Sequence, residues 1–396
     1  MSSASARRCA SSSSSQNASR CVCPNGSSRA RSASAEVVLI DQFPSIRRQE
    51  NTDNTVAMRD HSVKKPPRTT RRRLLKAAAA TLSAYVLGRA AGQTTAPADR
   101  RPRRIETPWW LRAAPDRSRV VDVRSSKVVH GSGAYVDSVR LDAVLDRALR
   151  EMTGALDRGR AWRAILGDAR RIAIKFNSVG AGVINTSDAV ARLLVAQLAE
   201  AGYAPDAITL VEASEPLIAE LGVRRPVRGW ADRIPVGDQS EQLARWFVEA
   251  DTVINVPFLK THQIAGMSGC LKNISHAIIR RPARYHANAC SPYVPEIVSH
   301  PLVAERLKLQ VMDALRVVVR RGPEATEQDI SAYGGVLLGY DPVAVDHVAW
   351  SILAVLRRER NIDGLVAVPY LNAAAELRLG RAHPSRIERI GLEVRG

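Results

Sequence analysis

The sequence predicts an α/β protein: a layered fold with a mostly parallel sheet built from βαβ crossover units. Three observations carry that expectation. Apolar residues at helical spacing alternate with short β-branched runs. One strand–loop–helix–strand unit closes within about forty residues, the length of a parallel crossover. The alternation then recurs along the chain, as layered α/β folds require.

The elements follow in order. Leu141, Val144, Leu145, Ala148, Leu149 and Met152 mark one face of a helix. A shorter helix surrounds Trp162, Ile165 and Leu166 and leads into a buried strand, Arg171–Phe176. A loop with Gly180 and Gly182 precedes a helix capped at Thr186 or Ser187, which presents Val190, Leu193, Leu194 and Leu198 and ends at Gly202. Ala207–Val211 is the returning strand. A helix with Leu243, Trp246 and Phe247 precedes the strand Thr252–Val256. Leu309–Met312 and Gly335–Leu338 read as strands, and a helix follows Asp341-Pro342. A helix over Tyr370–Leu379, closing at Gly380, and a strand near Ile387–Leu392 complete the pattern. Residues 257–308 have weaker periodicity, with many His, Pro, Gly and Asn. In such folds the loops beyond the C-terminal strand ends form the ligand crevice.

Charge is unevenly distributed. The 396 residues carry a formal net charge of +19. Residues 1–100 hold 17 Lys/Arg against 6 Asp/Glu, a net of +11, and the remainder holds 41 against 33, a net of +8. The rest of the chain is therefore only mildly basic, which suits an anionic ligand or surface. No spaced Cys/His pairs or Gly-aromatic strand signature occur, so nucleic acid is a disfavoured partner. Cys9, Cys21 and Cys23 lie in the Ser/Ala/Arg-rich start, leaving Cys270 and Cys290 for the folded part. That set provides no iron–sulfur cluster motif. Cys270 and Cys290 read either as a pair or as two free thiols.

The start of the chain reads as an address. Residues 1–69 form an extension whose composition cannot bury enough apolar surface to offset ordering entropy. Met58 is an alternative start. Thr70-Arg71-Arg72-Arg73-Leu74-Leu75-Lys76 fits a twin-arginine signal, followed by a short apolar stretch, Ala77–Gly88, and by Ala90, Ala91 and Gly92 at an exit site. The signal covers 70–92, a Pro/Arg-rich linker 93–119, and an α/β domain 120–396. The apolar stretch is shorter than the ~20 residues of a spanning helix. The expected location is periplasmic or extracellular, with tethering by an uncleaved signal as the variant, and the translocation machinery is an expected partner.

Chemistry concentrates after the strand ending at Val256. Lys260, Thr261, His262, Gly266, Gly269, Lys272 and Asn273 combine positive charge, hydrogen-bonding side chains and close backbone approach, the ingredients of an anion cradle. Bracing of a long loop is the alternative reading. Lys175 and Asn177 end the first crossover strand and would face the same crevice, and Glu212 ends the next. His262, His276, His286 and His300 lie within 39 residues, so a divalent metal is a candidate cofactor. His262 and His276, with an oxygen from Asp341, are the candidate metal ligands. For proton transfer the candidates are Lys260, His262, His286 and Asp346, while Lys175, Asn177, Lys272 and Asn273 are candidate ligand-binding residues. Asp341 before Pro342 also suits a helix cap.

Ile174-Lys175-Phe176-Asn177, Val253–His262, Leu271-Lys272-Asn273 and Gly339–Asp346 together resemble the domain-of-unknown-function 362 family. The resemblance extends over about residues 120–395, with Phe176 where family members often carry Pro. It implies an α/β fold and a link to redox or metal biology, and it implies no particular reaction. Family members are often exported or joined to ferredoxin modules, and this sequence carries no such module. The leading expectation is an exported enzyme or cofactor-dependent protein acting on a small anionic ligand. The alternative is a non-catalytic binding or assembly protein serving an iron–sulfur or redox partner.

Overall fold

The computed structural model describes residues 105–130, 135–362 and 366–395. The twin-arginine segment, Met58 and the expected extension lie outside these residues.

Thirteen strands run through the described chain. The first group is β1 (Ser118–Arg124), β2 (Val129–His130), β3 (Tyr135–Val136), β4 (Ile172–Lys175) and β5 (Ile208–Val211). Then come β6 (Trp230–Val236), β7 (Gln239–Ala244), β8 (Thr252–Asn255), β9 (Phe258–His262) and β10 (Gly266–Ser268). The last three are β11 (Leu307–Val318), β12 (Ile330–Gly339) and β13 (Ile387–Glu393). The central sheet runs β13-β1-β12-β11-β8-β4-β5, with β9 beside β11 and β10 beside β9. Pairings of β4 with β5 and β8, of β11 with β8 and β9, and of β1 with β13 are parallel. The antiparallel pairings are β1 with β12, β11 with β12 and β9 with β10. The expected α/β class with a mostly parallel sheet is therefore the architecture observed.

Helices cover both faces because the strands bury both. Along β1, Val120 enters one hydrophobic cluster while Val121 and Val123 belong to the other. One face carries the helices Ser138–Thr153, Arg158–Leu166 and Ser187–Glu200; the other carries Cys270–Ala277, Tyr293–Val298, Pro342–Glu359 and Pro369–Glu376. Near-continuous apolar strands between two helix layers are what a buried parallel sheet demands. The six residues from Leu141 to Met152 that set the first helical period are all buried in Ser138–Thr153.

Several elements differ from expectation. The two strands expected at Leu309–Met312 and Gly335–Leu338 extend over 12 and 10 residues and pair antiparallel, so no crossover joins them. Leu243 lies in β7, and only Arg245–Glu249 is helical. Residues 257–308 contain β9, β10 and three helices of their own. Pro257 divides what would be one strand: β8 pairs with the first part of β11 and β9 with the second. The expected linker boundary at 119 falls inside the fold. Trp109–Ala113 is helical, Trp110 is buried, and its indole N–H donates to the Leu379 carbonyl at 2.9 Å. β1 begins at Ser118. No helix among the described residues is long and apolar enough to cross a membrane.

Candidate functional site

The site forms where β4, β5 and β8 end at their carboxyl edge, closed by β9 and the helix Cys270–Ala277. β4 delivers Lys175 as its last residue, with Asn177 just beyond. Lys175 is 1% exposed, and its ammonium donates to Glu212 Oε1 at 2.9 Å, Asn273 Oδ1 at 2.9 Å and the Phe176 carbonyl at 2.5 Å. Glu212 follows β5 with φ of 60°, a left-handed conformation unfavourable for a non-glycine residue. That turn also lets its Oε2 accept from the Ser178 N–H and hydroxyl at 2.8 and 3.0 Å.

Amides fix the next layer. Asn273 Nδ2 donates to Asn255 Oδ1 at 2.8 Å, and Asn255 Nδ2 donates to Gln310 Oε1 and to the Cys270 carbonyl. Each acceptor orients the following donor, so the side-chain direction of Asn273 is set by the sheet beneath it. Lys260, from β9, donates to the Val179 carbonyl at 2.5 Å and to Asn177 Oδ1 at 3.3 Å, and its ammonium sits 4.7 Å from the Phe258 ring centre. Lys272, one turn into the helix, reaches His286 Nε2 at 3.2 Å.

Lys175, Lys260 and Lys272 are all buried, and each of the last two feels its neighbours. Burial lowers Lys260 to about 7, with Lys175 and Lys272 pushing the same way and Glu212 opposing. Burial likewise lowers Lys272 to about 8; Cys290 opposes and Lys175 reinforces the fall. Lys175 is lowered by burial against the pull of Glu212. Among the described residues, Glu212 is the carboxylate in ion-pair contact with this group.

Three histidines stand beside the lysines. The His262 and His286 rings stack with centres 5.7 Å apart, and His276 meets His286 edge-on at 4.6 Å. His262 Nδ1 accepts the Ile264 and Ala265 N–H groups, both at 3.2 Å, within the β9–β10 turn. A nitrogen accepting two backbone donors carries no proton, so the neutral ring bears its hydrogen on Nε2. Burial, then Lys272 and His286, hold its pKa at about 3. His262 is thus a fixed neutral donor, and its expected role as a metal ligand is corrected: ligation through Nε2 would place a proton on Nδ1 against two N–H groups. His286 has the opposite tautomer, because Nδ1 faces the Pro282 carbonyl at 3.2 Å and must donate to it.

The carboxylates expected in the site serve elsewhere. Asp341 Oδ1 accepts the Val343 and Ala344 N–H groups, while Oδ2 accepts from the Ser118 hydroxyl and the Arg381 N–H. Four donors leave nothing for a metal, so Asp341 is a helix cap and not a ligand. Asp346, expected in proton transfer, is fully buried; Oδ1 accepts the Cys270 N–H at 2.5 Å and Oδ2 the Leu271 N–H at 3.1 Å. It closes the N-terminus of the helix that carries Lys272 and Asn273, which makes it a positioning residue. Burial outweighs those bonds and raises it to about 7. Thr261 accepts the Gly322 N–H, and His300 caps Pro301–Ala304.

Among the described residues, one cluster has metal-ligating composition: His276, His286 and Cys290, whose ligand atoms all lie within 4.8 Å of one another. Cys290 was missed by histidine spacing alone. The His286-x3-Cys290 interval was the available signal. Cys270 and Cys290 are both buried free thiols. Asn288, Ala289 and Cys290 are consecutively left-handed, with φ of 51°, 53° and 66°. Such residues cost of order 1–3 kcal/mol each and persist only where surroundings impose them.

Fold and site together define an α/β protein whose carboxyl sheet end concentrates buried lysine charge beside imidazoles. Residues 172–351 match the family model described as domain of unknown function (DUF362), a span that runs from the first residue of β4 into the helix Pro342–Glu359. No curated protein matches the chain. Among solved structures, the lactate racemase apoprotein from Thermoanaerobacterium thermosaccharolyticum is similar at 11% identity and TM-score 0.33, over 62% of this chain and 56% of that one. A Thermotoga maritima protein, target VR152 of the Northeast Structural Genomics Consortium, is similar at 14% identity and TM-score 0.32, over 58% and 61%. The chain thus spans less than two thirds of either structure, and neither likeness bears on the chemistry.

Proposed function

We propose that this protein is an exported enzyme that binds a small anionic ligand, a carboxylate or phosphate, in the lysine-lined pocket. One observation carries the reading: Lys175, Lys260 and Lys272 are buried together against the single carboxylate of Glu212. Removing an ammonium from water costs several kcal/mol unless compensated. An anion supplies the compensation, and a fold with no ligand to bind gains nothing from such a cluster. The amides of Asn177 and Asn273 hold two of the lysines in place. Lys260, at about 7, is present in both protonation states near neutral pH, which suits proton transfer to or from a bound substrate. His262 offers a neutral N–H donor whose orientation the β9–β10 turn fixes. Export rests on the sequence Thr70–Lys76 and the apolar stretch after it.

Thermal denaturation of the full chain with phosphate and with small mono- and dicarboxylates tests the binding. A ligand that binds the native state raises the melting temperature by mass action. At least one of these anions should raise it at neutral pH, and Lys260→Met and Lys272→Met should each abolish most of the shift. A melting temperature that no anion moves would reject the reading, as would an equal shift in both variants.

A further inference from the structure

We infer that His276, His286 and Cys290 form a binding site for a divalent transition metal of the zinc type, adjoining the lysines that take the anion. Two imidazoles and one thiolate are the donor set that favours Zn²⁺, Co²⁺ or Ni²⁺ over Mg²⁺ or Ca²⁺. All three ligand atoms already lie within 4.8 Å of one another, so the site needs contraction and displacement of the Lys272 ammonium from His286 Nε2, and no rearrangement of the fold.

Two features point to a cation there, and a third brings the cysteine to it. First, His276 Nε2 is buried and makes no hydrogen bond of good geometry, while Nδ1 faces the Ser275 hydroxyl at 3.1 Å and the Tyr285 backbone also lies beside the ring. A buried ring nitrogen left bare is expensive, and coordination satisfies it. Second, the Pro282 carbonyl fixes His286 with its proton on Nδ1 and its lone pair on Nε2. A backbone carbonyl behind the imidazole is the usual arrangement that orients a ligating histidine. Third, the left-handed run Asn288–Cys290 carries the cysteine to this place.

Binding is balanced without a redox step. The Cys290 thiol loses its proton to solvent, its sulfur donates a lone pair to the cation, and the two neutral imidazoles donate theirs. A metal on His286 Nε2 takes the place of Lys272, whose ammonium is then free to face an anion. Three protein ligands leave a coordination position open, the pattern of catalytic rather than structural zinc sites. Metal binding at these three residues does not require a bound anion, and its test is made with no anion added.

The experiment titrates Co²⁺ into the full chain, in a background of Cys9→Ser, Cys21→Ser and Cys23→Ser that leaves only the thiols of Cys270 and Cys290. A thiolate-to-cobalt charge-transfer band should appear and saturate at one metal per chain. Cys290→Ser should lose the band, Cys270→Ser should keep it, and His276→Gln should weaken binding by about tenfold or more. X-ray absorption on the zinc-loaded parent supplies a readout that needs no further variant, with one sulfur and imidazole nitrogens in the shell. Absence of the band, its survival in Cys290→Ser, or an all-oxygen shell would each overturn the assignment.

Discussion

Lys260 shows how a single side chain can report on the pocket. Its folded pKa of about 7 lies below its ordinary 10.5, so between those values the unfolded chain binds more protons than the folded one. Stability then rises with pH across that window, and the penalty of the buried charge is fully present below about 7. Replacing a poorly compensated buried ion with an apolar group of similar size stabilises by about 1–4 kcal/mol. Lys260→Met should therefore unfold at higher urea concentration than the parent at pH 7. The gap should narrow steadily as the pH approaches 10. A constant gap would mean that Lys260 is solvated and that the pocket is not charged as described. His262 makes the complementary point, because two backbone N–H groups decide its tautomer before any ligand arrives.

Among the elements, the helix Cys270–Ala277 matters most. It is only eight residues long, yet it carries Lys272, Asn273 and His276 to the site. Its N-terminus has no capping side chain of its own, and the carboxylate of Asp346 on a neighbouring helix supplies the acceptor. Negative charge at a helix N-terminus meets the unpaired N–H groups and the positive end of the helix dipole. The contact is possible because residue 269 is glycine: a Cβ there would lie 2.2 Å from Asp346 Oδ1. Gly269→Ala should therefore destabilise the fold by about 1–3 kcal/mol, the usual cost of overpacking. Because the helix must shift, anion binding should weaken in the same variant, and urea denaturation with ligand-induced thermal shifts measures both. An unchanged midpoint would show that Asp346 and the helix do not depend on this close approach.

For the molecule as a whole, the described residues form one nine-stranded sheet between two helix layers, with the small two-stranded sheets β2-β3 and β6-β7 beside it, and the site sits where strand ends and the long 257–308 segment meet. The proposed export concerns the entire chain. The twin-arginine route is specific for its paired arginines, so Arg71→Lys with Arg72→Lys should leave the protein inside the cell, whereas the parent appears in the exported fraction. Cell fractionation with detection of the full chain reads this out, and equal export of the two would remove the signal assignment.

Much of this was legible in the residues. The periods of Leu141–Met152 and Arg171–Phe176 mark their elements because helix and strand bury every third-or-fourth or every residue, a local property. Lys175, Lys260 and Lys272 were readable as site candidates for a similar reason, since each follows or ends an apolar strand or lies among glycines. What a linear chain does not encode is which distant groups satisfy each polar atom. Asp341 and Asp346 look alike, five residues apart on one helix, yet one caps its own helix and the other caps a different one. The strand β1 hid behind a Pro/Arg-rich stretch because its pairing partners, β12 and β13, lie more than two hundred residues away. Cys290 joins two histidines only through an irregular, left-handed path that no periodic signal announces. Apolar periodicity therefore determined the class of fold and the strand ends at which the lysines gather, whereas long-range hydrogen bonding, which exists only once the chain has closed, decided the partners of each charged group.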